Sequence, residues 1–194
     1  MNNYIKGIKM SLFNQSVNFY QFICEKLEAL GTWLPQLFLR LILAWEFGEA
    51  GFEKLHGTNW FVDINFPFPF SLLPPNISWH IATFFEIVGA FALAFGIATR
   101  FFSISLIILT IVAIAAVHWP EHWNTLLQLL KGYRISDSEQ DGFGNYKLPL
   151  IYIIMFIPLL LNGAGKLSID HLIKRFINTT RNSSRDHQTN ITNS

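Results

Sequence analysis

Charged residues are scarce in this chain. Asp, Glu, Lys and Arg make up 14% of its 194 residues, whereas 51% are hydrophobic. Soluble globular proteins carry about 25% charged residues, because a water-facing surface needs them. The composition therefore indicates a chain whose surroundings are partly lipid. The formal net charge of +1 provides no broad basic surface, so we expect no nucleic-acid partner.

Cysteine is nearly absent, since Cys24 is the only one in the sequence. This excludes intramolecular disulfides, zinc ribbons and CxxC redox pairs. Gly-rich phosphate loops and the GxSxG and HExxH motifs are also missing. Residues 1–33 contain no continuous apolar run of the kind found in a cleaved signal peptide. The chain supplies no complete redox centre, so we expect that it is not a stand-alone enzyme. Electron transfer would need a bound quinone, a metal or a partner subunit.

The apolar residues are concentrated in four stretches that are long enough to predict transmembrane helices. The expected spans cover about residues 34–55, 78–99, 101–117 and 146–163. The third is the most apolar, because it contains no charged residue. We therefore predict an all-α fold in which residues 34–176 form an integral membrane four-helix bundle, with the lipid bilayer as its surroundings.

Three segments lie outside the predicted spans. The apolar residues of 1–33 recur at three- and four-residue steps, which predicts an amphipathic helix on the membrane surface or against the bundle. Residues 118–130 are apolar on one side, which predicts a short interfacial helix between spans three and four. The tail, 177–194, is rich in Asn, Ser and Thr, a composition typical of disorder.

The basic residues are distributed unequally between the two ends of the predicted spans. Ten fall on the side of the termini and four on the opposite side. Cytoplasmic segments of membrane proteins carry the excess of Lys and Arg, so we expect both termini to be cytoplasmic. The ten are Lys6, Lys9, Lys26, Arg40, Arg100, Lys166, Lys174, Arg175, Arg181 and Arg185, and the four are Lys54, Lys131, Arg134 and Lys147.

Ionisable residues within the first two predicted spans mark a candidate site. A carboxylate in lipid is costly unless it is paired or protonated, so these groups are expected to face the bundle interior. Three of the glutamates are spaced i, i+3 and i+7 on one stripe of the first span. Their expected cationic partners are Arg40 near the cytoplasmic end of the first span and Lys54 near its outer end. The pattern predicts a proton relay, a cation site or hydrogen bonds to a quinone-like head group, with structural ion pairs as the alternative. The residues of this predicted polar core are Arg40, Glu46, Glu49, Glu53 and Glu86.

Four histidines form a second candidate site. His56, His80, His118 and His122 all fall near the outer ends of the predicted spans. His118 and His122 are i, i+4 and share a face where the segment is helical, although Pro120 lies between them. Imidazole ligands suit copper or zinc, so the four histidines predict a metal site near the outer face of the membrane that the spans cross. The alternative is that they are ordinary interfacial residues.

Three sequence motifs occur in order along the chain. Their residues are Arg40, Phe47, Gly51 and Lys54 in the first span, Glu86, Gly89, Gly96 and Arg100 in and after the second, and Gly163, Gly165, Ser168 and Asp170 after the fourth. Together they resemble the DoxX family over about residues 33–176. The resemblance implies a four-helix protein of the bacterial inner membrane. Some members are named for a subunit of a thiosulfate:quinone oxidoreductase, and others are linked to membrane oxidoreductase complexes in oxidative-stress defence.

A narrower resemblance, to the HvfX-type DoxX proteins, rests on three further segments. These are the Phe-Pro-Phe-Pro stretch at 66–69, the end of the third span at 117–118, and Gly-Asn-Tyr at 144–146. The loop between spans three and four is shorter here than in that group. The resemblance implies a role in copper stress or in handling a copper-binding peptide at the membrane.

Two classes of function therefore remain open. The first is a non-catalytic or accessory component of a membrane redox or stress-response system, dependent on a quinone or on a membrane or soluble oxidoreductase partner. The second is a membrane component that handles copper or a copper-binding peptide, or that transports a small solute. The cofactors implied by these hypotheses are quinone for the first and copper for the second.

Overall fold

The computed structural model describes the backbone of residues 2–120, 123–135 and 144–192, and side chains within 14–120, 123–135 and 144–181. Every regular element in these residues is helical, which confirms the predicted all-α class. The α-helices are α1 (Asn2–Gly31), α2 (Leu34–His56), α3 (Pro75–Phe95), α4 (Thr99–Ala113), α5 (Leu126–Lys131), α6 (Lys147–Asn162) and α7 (Ile169–Thr192). Short 3-10 helices lie at Trp60–Asp63 and Phe70–Leu72, and α4 continues as a π-helix over Ile114–His118.

The chain divides into two compact units, Met1–Pro35 and Gln36–Ser194. The first consists mainly of α1, a helix of 30 residues in the segment where the sequence predicts an amphipathic helix. The second contains most of α2 and all of the helices that follow it. Every candidate site residue belongs to this second unit.

Proline and glycine set the ends of α3. Pro75 occupies the first turn, where its missing N–H removes no intrahelical hydrogen bond. At the other end, Gly96 adopts a left-handed conformation with φ +67°, and its N–H binds the carbonyl oxygens of the last turn. Glycine is the residue that adopts this conformation without a Cβ clash. A short turn therefore leads from α3 directly into α4.

Side chains from α2, α3, α4 and α6 form one hydrophobic core. Its buried members are Leu43, Phe47, Leu93, Leu106, Phe156 and Leu159. Two glycines permit close helix approach. A Cβ at Gly51 of α2 would lie 2.7 Å from Ile87 Cγ1 of α3, and one at Gly89 would lie 3.0 Å from Leu106 Cδ1 of α4. Both residues belong to the DoxX-like motifs, so these motif positions have a packing role.

Two helical stretches are long and apolar enough to cross a membrane. They are Pro75–Phe95 and Thr99–His118, the second of which joins α4 to the π-helix. The number rises to three if Asn14–Gly31 and Leu34–His56 count together as one broken span, and α6 is apolar but shorter. The described residues therefore support a multi-pass membrane protein. The predicted set of four spans is not confirmed and stays a prediction.

Two segments outside the predicted spans differ from what the sequence predicts, one in its length and one in its secondary structure. The short helix predicted over 118–130 is α5, which begins only at Leu126. Trp119 is extended, with ψ 142°, as is usual for a residue that precedes proline. The tail for which the composition predicts disorder is helical as far as Thr192. No Gly or Pro occurs after Gly165, so the sequence contains no strong signal to end α7.

Candidate functional site

A cavity of about 660 Å³ lies between α2, α3, α4 and α6. Most of its wall is apolar, and the aromatic rings of Phe47, Phe61, Phe66 and Phe85 contribute to it. The polar side chains on the wall are few. They are Glu46, Glu53, Lys54, Ser78, Glu86, Ser105, Thr110, His118 and Tyr152. An apolar cavity with a small number of polar groups is typical of a small-molecule site.

The segment after α2 contributes aromatic rings to the wall of this cavity. Asn59 caps the 3-10 helix at Trp60–Asp63, because its side-chain oxygen accepts from the Phe61 N–H at 3.0 Å. The Asn59 amide also donates to the Asn76 side chain at 2.7 Å, which ties the segment to the start of α3. Phe61 then packs edge-to-face on Trp79, with ring centroids 5.1 Å apart. These contacts hold Phe61 in the cavity wall.

Lys54 and Glu86 form an ion pair across the cavity wall. Lys54 Nζ of α2 lies 2.9 Å from Glu86 Oε1 of α3, and the two side chains are 14% and 4% exposed. Gly51 makes this contact possible, because a Cβ at that position would meet the Glu86 Cβ at 3.0 Å. The second carboxylate oxygen, Glu86 Oε2, is buried and has no hydrogen-bond partner. The pair therefore retains an acceptor that no described side chain satisfies.

A second polar pair joins α6 to α2. The Tyr152 hydroxyl donates a hydrogen bond to Glu46 Oε2, and both residues line the cavity. Tyr152 also packs against Phe47, with ring centroids 5.8 Å apart. Tyr152 is not among the polar-core residues that the sequence predicts. The sequence nevertheless contains a signal for Tyr152, because it is one of few residues in the apolar helix α6 with a side-chain hydrogen-bonding group.

The remaining members of the predicted polar core occupy different places. Glu53 lines the cavity but is exposed, and Glu49 is exposed and lies off the cavity wall. Arg40 is fully buried but does not line the cavity. The structure thus brings Glu46, Glu53 and Glu86 to one cavity, adds Lys54, and separates Arg40 from them.

Arg40 instead joins three parts of the chain at the other end of α2. Its Nη1 donates to the Leu93 carbonyl at 3.3 Å, and its Nη2 donates to the Leu167 carbonyl at 2.5 Å. A Cβ at Gly96 would overlap the guanidinium and the Ser168 side chain. We call this group of five residues the Arg40 clasp.

Three further motif residues, Arg100, Gly163 and Asp170, lie at the helix ends beside the clasp. The Asp170 carboxylate accepts from the backbone N–H groups of Ala98 and Thr99 at 2.8 and 2.9 Å, which caps the start of α4. Arg100 donates to the Leu161 carbonyl at 2.8 Å. The Ser168 hydroxyl donates to the carbonyl of Gly165 at 2.7 Å, and Gly163 ends α6. These contacts fasten the ends of α3, α4 and α6 together, so the motif residues here hold the fold rather than line the cavity.

The predicted metal-binding histidines have separate contacts. His56 and His80 are exposed, and each ring contacts a backbone carbonyl of its own helix, that of Phe52 and that of Asn76. The His118 ring contacts the Asn145 side chain. His122 lies outside the described residues. Within the described part of the chain, no group of three or more His, Cys, Asp or Glu side chains is arranged to hold a metal ion.

Comparison with known proteins gives a family. Residues 36–119 match the family model described as DoxX, and this segment contains both partners of the Lys54–Glu86 pair. An uncharacterized protein of Haemophilus influenzae is 43% identical over 152 residues, which cover 77% of this chain and 90% of that protein. No solved structure matches the chain. With its apolar helices, its motif residues and the matched segment together, the chain belongs to the DoxX family.

Proposed function

We propose that this protein binds a small apolar ligand with a polar head group, of the quinone class, in the cavity between α2, α3, α4 and α6. The observation that carries the proposal is the combination of about 660 Å³ of space with apolar walls and two polar pairs, Lys54–Glu86 and Glu46–Tyr152. Apolar walls favour the body of such a ligand, and a few fixed polar groups orient its head.

The polar groups define what the head group must offer. An ammonium has three donors, and Lys54 gives one of them to Glu86 Oε1. A ligand oxygen beside Lys54 would accept a second, and Glu86 Oε2 is a buried acceptor that has no hydrogen-bond partner. A quinone offers carbonyl acceptors, and the corresponding hydroquinone offers both an acceptor and a donor. The site therefore suits this class of molecule better than a purely apolar lipid.

The proposed role is accessory. The chain contains one cysteine, and we infer that a partner protein would supply or remove the electrons while this protein binds and orients the quinone. The partner would be a membrane or soluble oxidoreductase. The copper hypothesis rests on the histidines and on the narrower resemblance to the HvfX-type proteins, and no contact among the described residues favours it over the quinone.

Filling the cavity tests the proposal. Ala113 of α4 lines the cavity, whereas Ala115 in the following π-helix is exposed and does not. We expect Ala113→Phe to weaken binding of decylubiquinone by at least about tenfold, because the added ring occupies ligand space. Ala115→Phe adds the same ring outside the cavity and should bind like the wild type. Affinity is measured by calorimetric titration of the protein in nanodiscs, with empty nanodiscs subtracted.

The result is interpretable because each variant can be checked for folding by its melting temperature. Equal affinities for folded Ala113→Phe and Ala115→Phe would overturn the assignment of the cavity as the site. Absence of quinone binding by the wild-type protein above empty nanodiscs would overturn the ligand class itself.

We further propose that the protein lies in the bacterial inner membrane with both termini in the cytoplasm. The contacts of Asp170 and Arg100 bring the α3–α4 turn, the end of α6 and the start of α7 close together. These three segments therefore belong to the same end of the helices. The positive-inside rule assigns the more basic end to the cytoplasm. The basic residues of this end include Arg40, Arg100, Lys166, Lys174 and Arg175, against Lys54, Lys131, Arg134 and Lys147 elsewhere.

Reporter fusions test this orientation. Green fluorescent protein fused after Ser184 is expected to fluoresce, because it folds in the cytoplasm, and alkaline phosphatase fused there is expected to be inactive. Alkaline phosphatase inserted after Gly132, the C-cap of α5, is expected to be active. The opposite pattern at both positions would reverse the orientation, and the same compartment for both would contradict the proposed arrangement of spans.

A further inference from the structure

Helix α7 presents an uncovered apolar face. Leu172, Ile173, Phe176 and Ile177 are 61%, 50%, 74% and 55% exposed. Their spacing at i, i+1, i+4 and i+5 places them on one stripe of the helix. A contiguous exposed apolar surface of this kind marks a contact site rather than a water-facing surface. The function proposed for the cavity makes no use of α7.

The start of α7 is fixed at the end of a candidate transmembrane helix. The Asp170 carboxylate accepts from the N–H groups of Ala98 and Thr99, and its own N–H donates to the Gly96 carbonyl at 2.9 Å. Thr99 is also the first residue of the span candidate Thr99–His118. The first turn of α7 therefore lies where a membrane-spanning helix begins, which is the level of the lipid head groups.

The charge of α7 indicates which surface covers its apolar face. The exposed side chains of Lys174, Arg175 and Arg181 are basic, and the Asp170 carboxylate is already bound by the start of α4. Helices with an apolar stripe and a basic polar face lie in the interface of anionic membranes. Docking of a second α7 would instead bring like charges together, which is unfavourable.

We propose that α7 is an interfacial helix that binds the anionic lipid leaflet next to the α3–α4 turn, with its apolar stripe among the acyl chains and its basic residues at the phosphates. The occupant of this surface is anionic phospholipid. Binding here holds α7 along the membrane surface and is independent of any ligand in the cavity.

A label on each face of α7 tests the proposal in the full-length protein. Phe176→Cys and Asn178→Cys, each in a Cys24→Ser background, place the same NBD fluorophore on positions about 200° apart around the helix. The labelled proteins are placed singly in nanodiscs of phosphatidylcholine, with or without phosphatidylglycerol. We expect iodide to quench the label at 178 and not the label at 176 when phosphatidylglycerol is present.

Removing the basic charges of α7 distinguishes anionic lipid from other occupants of its apolar face. Each basic residue near an anionic surface strengthens binding about fivefold. We therefore expect Lys174→Gln/Arg175→Gln/Arg181→Gln to expose the label at 176 to iodide even with phosphatidylglycerol. Equal quenching at 176 and 178 would overturn the proposal. So would protection at 176 that persists without phosphatidylglycerol or without the three charges, because another part of the protein or apolar contact alone would then account for it.

Discussion

Replacing Lys54 with methionine is expected to lower the free energy of unfolding by about 3 kcal/mol, because it leaves the charge of Glu86 buried without its partner. The two side chains are 14% and 4% exposed and their charged atoms lie 2.9 Å apart, so little solvent compensates for the loss. Methionine keeps an unbranched apolar side chain in the cavity wall. The measurement is unfolding of the purified protein in mixed micelles with increasing SDS.

The double variant separates the ion pair from simple packing. In Lys54→Met/Glu86→Gln no buried charge remains, so the double variant should be more stable than Lys54→Met alone and the two effects should not add. Glu49→Gln removes an exposed carboxylate from the same helix and should change stability by less than about 0.5 kcal/mol. Strict additivity, or a Lys54→Met protein as stable as Glu49→Gln, would contradict the assigned pair.

The positions of the main helices could be predicted well from apolar runs and their breakers. The predicted span at 34–55 corresponds to α2 (Leu34–His56), and the one at 146–163 to α6 (Lys147–Asn162). The number of helices that cross the membrane could not be established in this way. Polar residues lower the hydropathy of α2, and α6 is only 16 residues long, so neither qualifies alone as a span by length and composition.

The glutamate stripe shows what periodicity can and cannot predict. At about 100° per residue, Glu46 and Glu53 lie about 20° apart around α2, whereas Glu49 lies about 60° from Glu46. The first two line the cavity and Glu49 does not. Spacing alone predicted a common face for all three. The edge of that face depends on where α3 and α6 pack, which is information the local sequence does not contain.

Long-range partners were the least predictable part of the site. The hydrogen bond from Tyr152 to Glu46 joins residues 106 positions apart, and Arg40 binds carbonyls 53 and 127 positions away. A carbonyl has no sequence signature, so a charge-based interpretation looks first for acidic partners. For this reason the sequence predicts Arg40 as part of the polar core with the glutamates, although in the structure its hydrogen bonds hold helix ends together.

Replacing Arg40 with leucine is expected to lower the free energy of unfolding by about 3 kcal/mol, since each hydrogen bond to a charged donor contributes about 1.5–3 kcal/mol. The side chain is fully buried, and its removal leaves the Leu93 and Leu167 carbonyls without their guanidinium donor. Arg40→Lys should recover little of this loss, because a single ammonium lacks the planar fork that reaches both carbonyls.

Arg100→Leu is the matched control, because Arg100 is exposed and donates one hydrogen bond, to Leu161. Because Arg100 is exposed, water can replace the lost hydrogen bond, and the substitution should cost less than about 1 kcal/mol. Arg40 lies 14 residues before Lys54 on α2, roughly 21 Å along the helix axis. Folded Arg40→Leu protein should therefore retain the quinone affinity of the wild type. The substitution at the Arg40 end of α2 would then lower stability without changing ligand binding at the Lys54 end. An Arg40→Leu protein as stable as Arg100→Leu would show that the clasp does not hold the helix ends together.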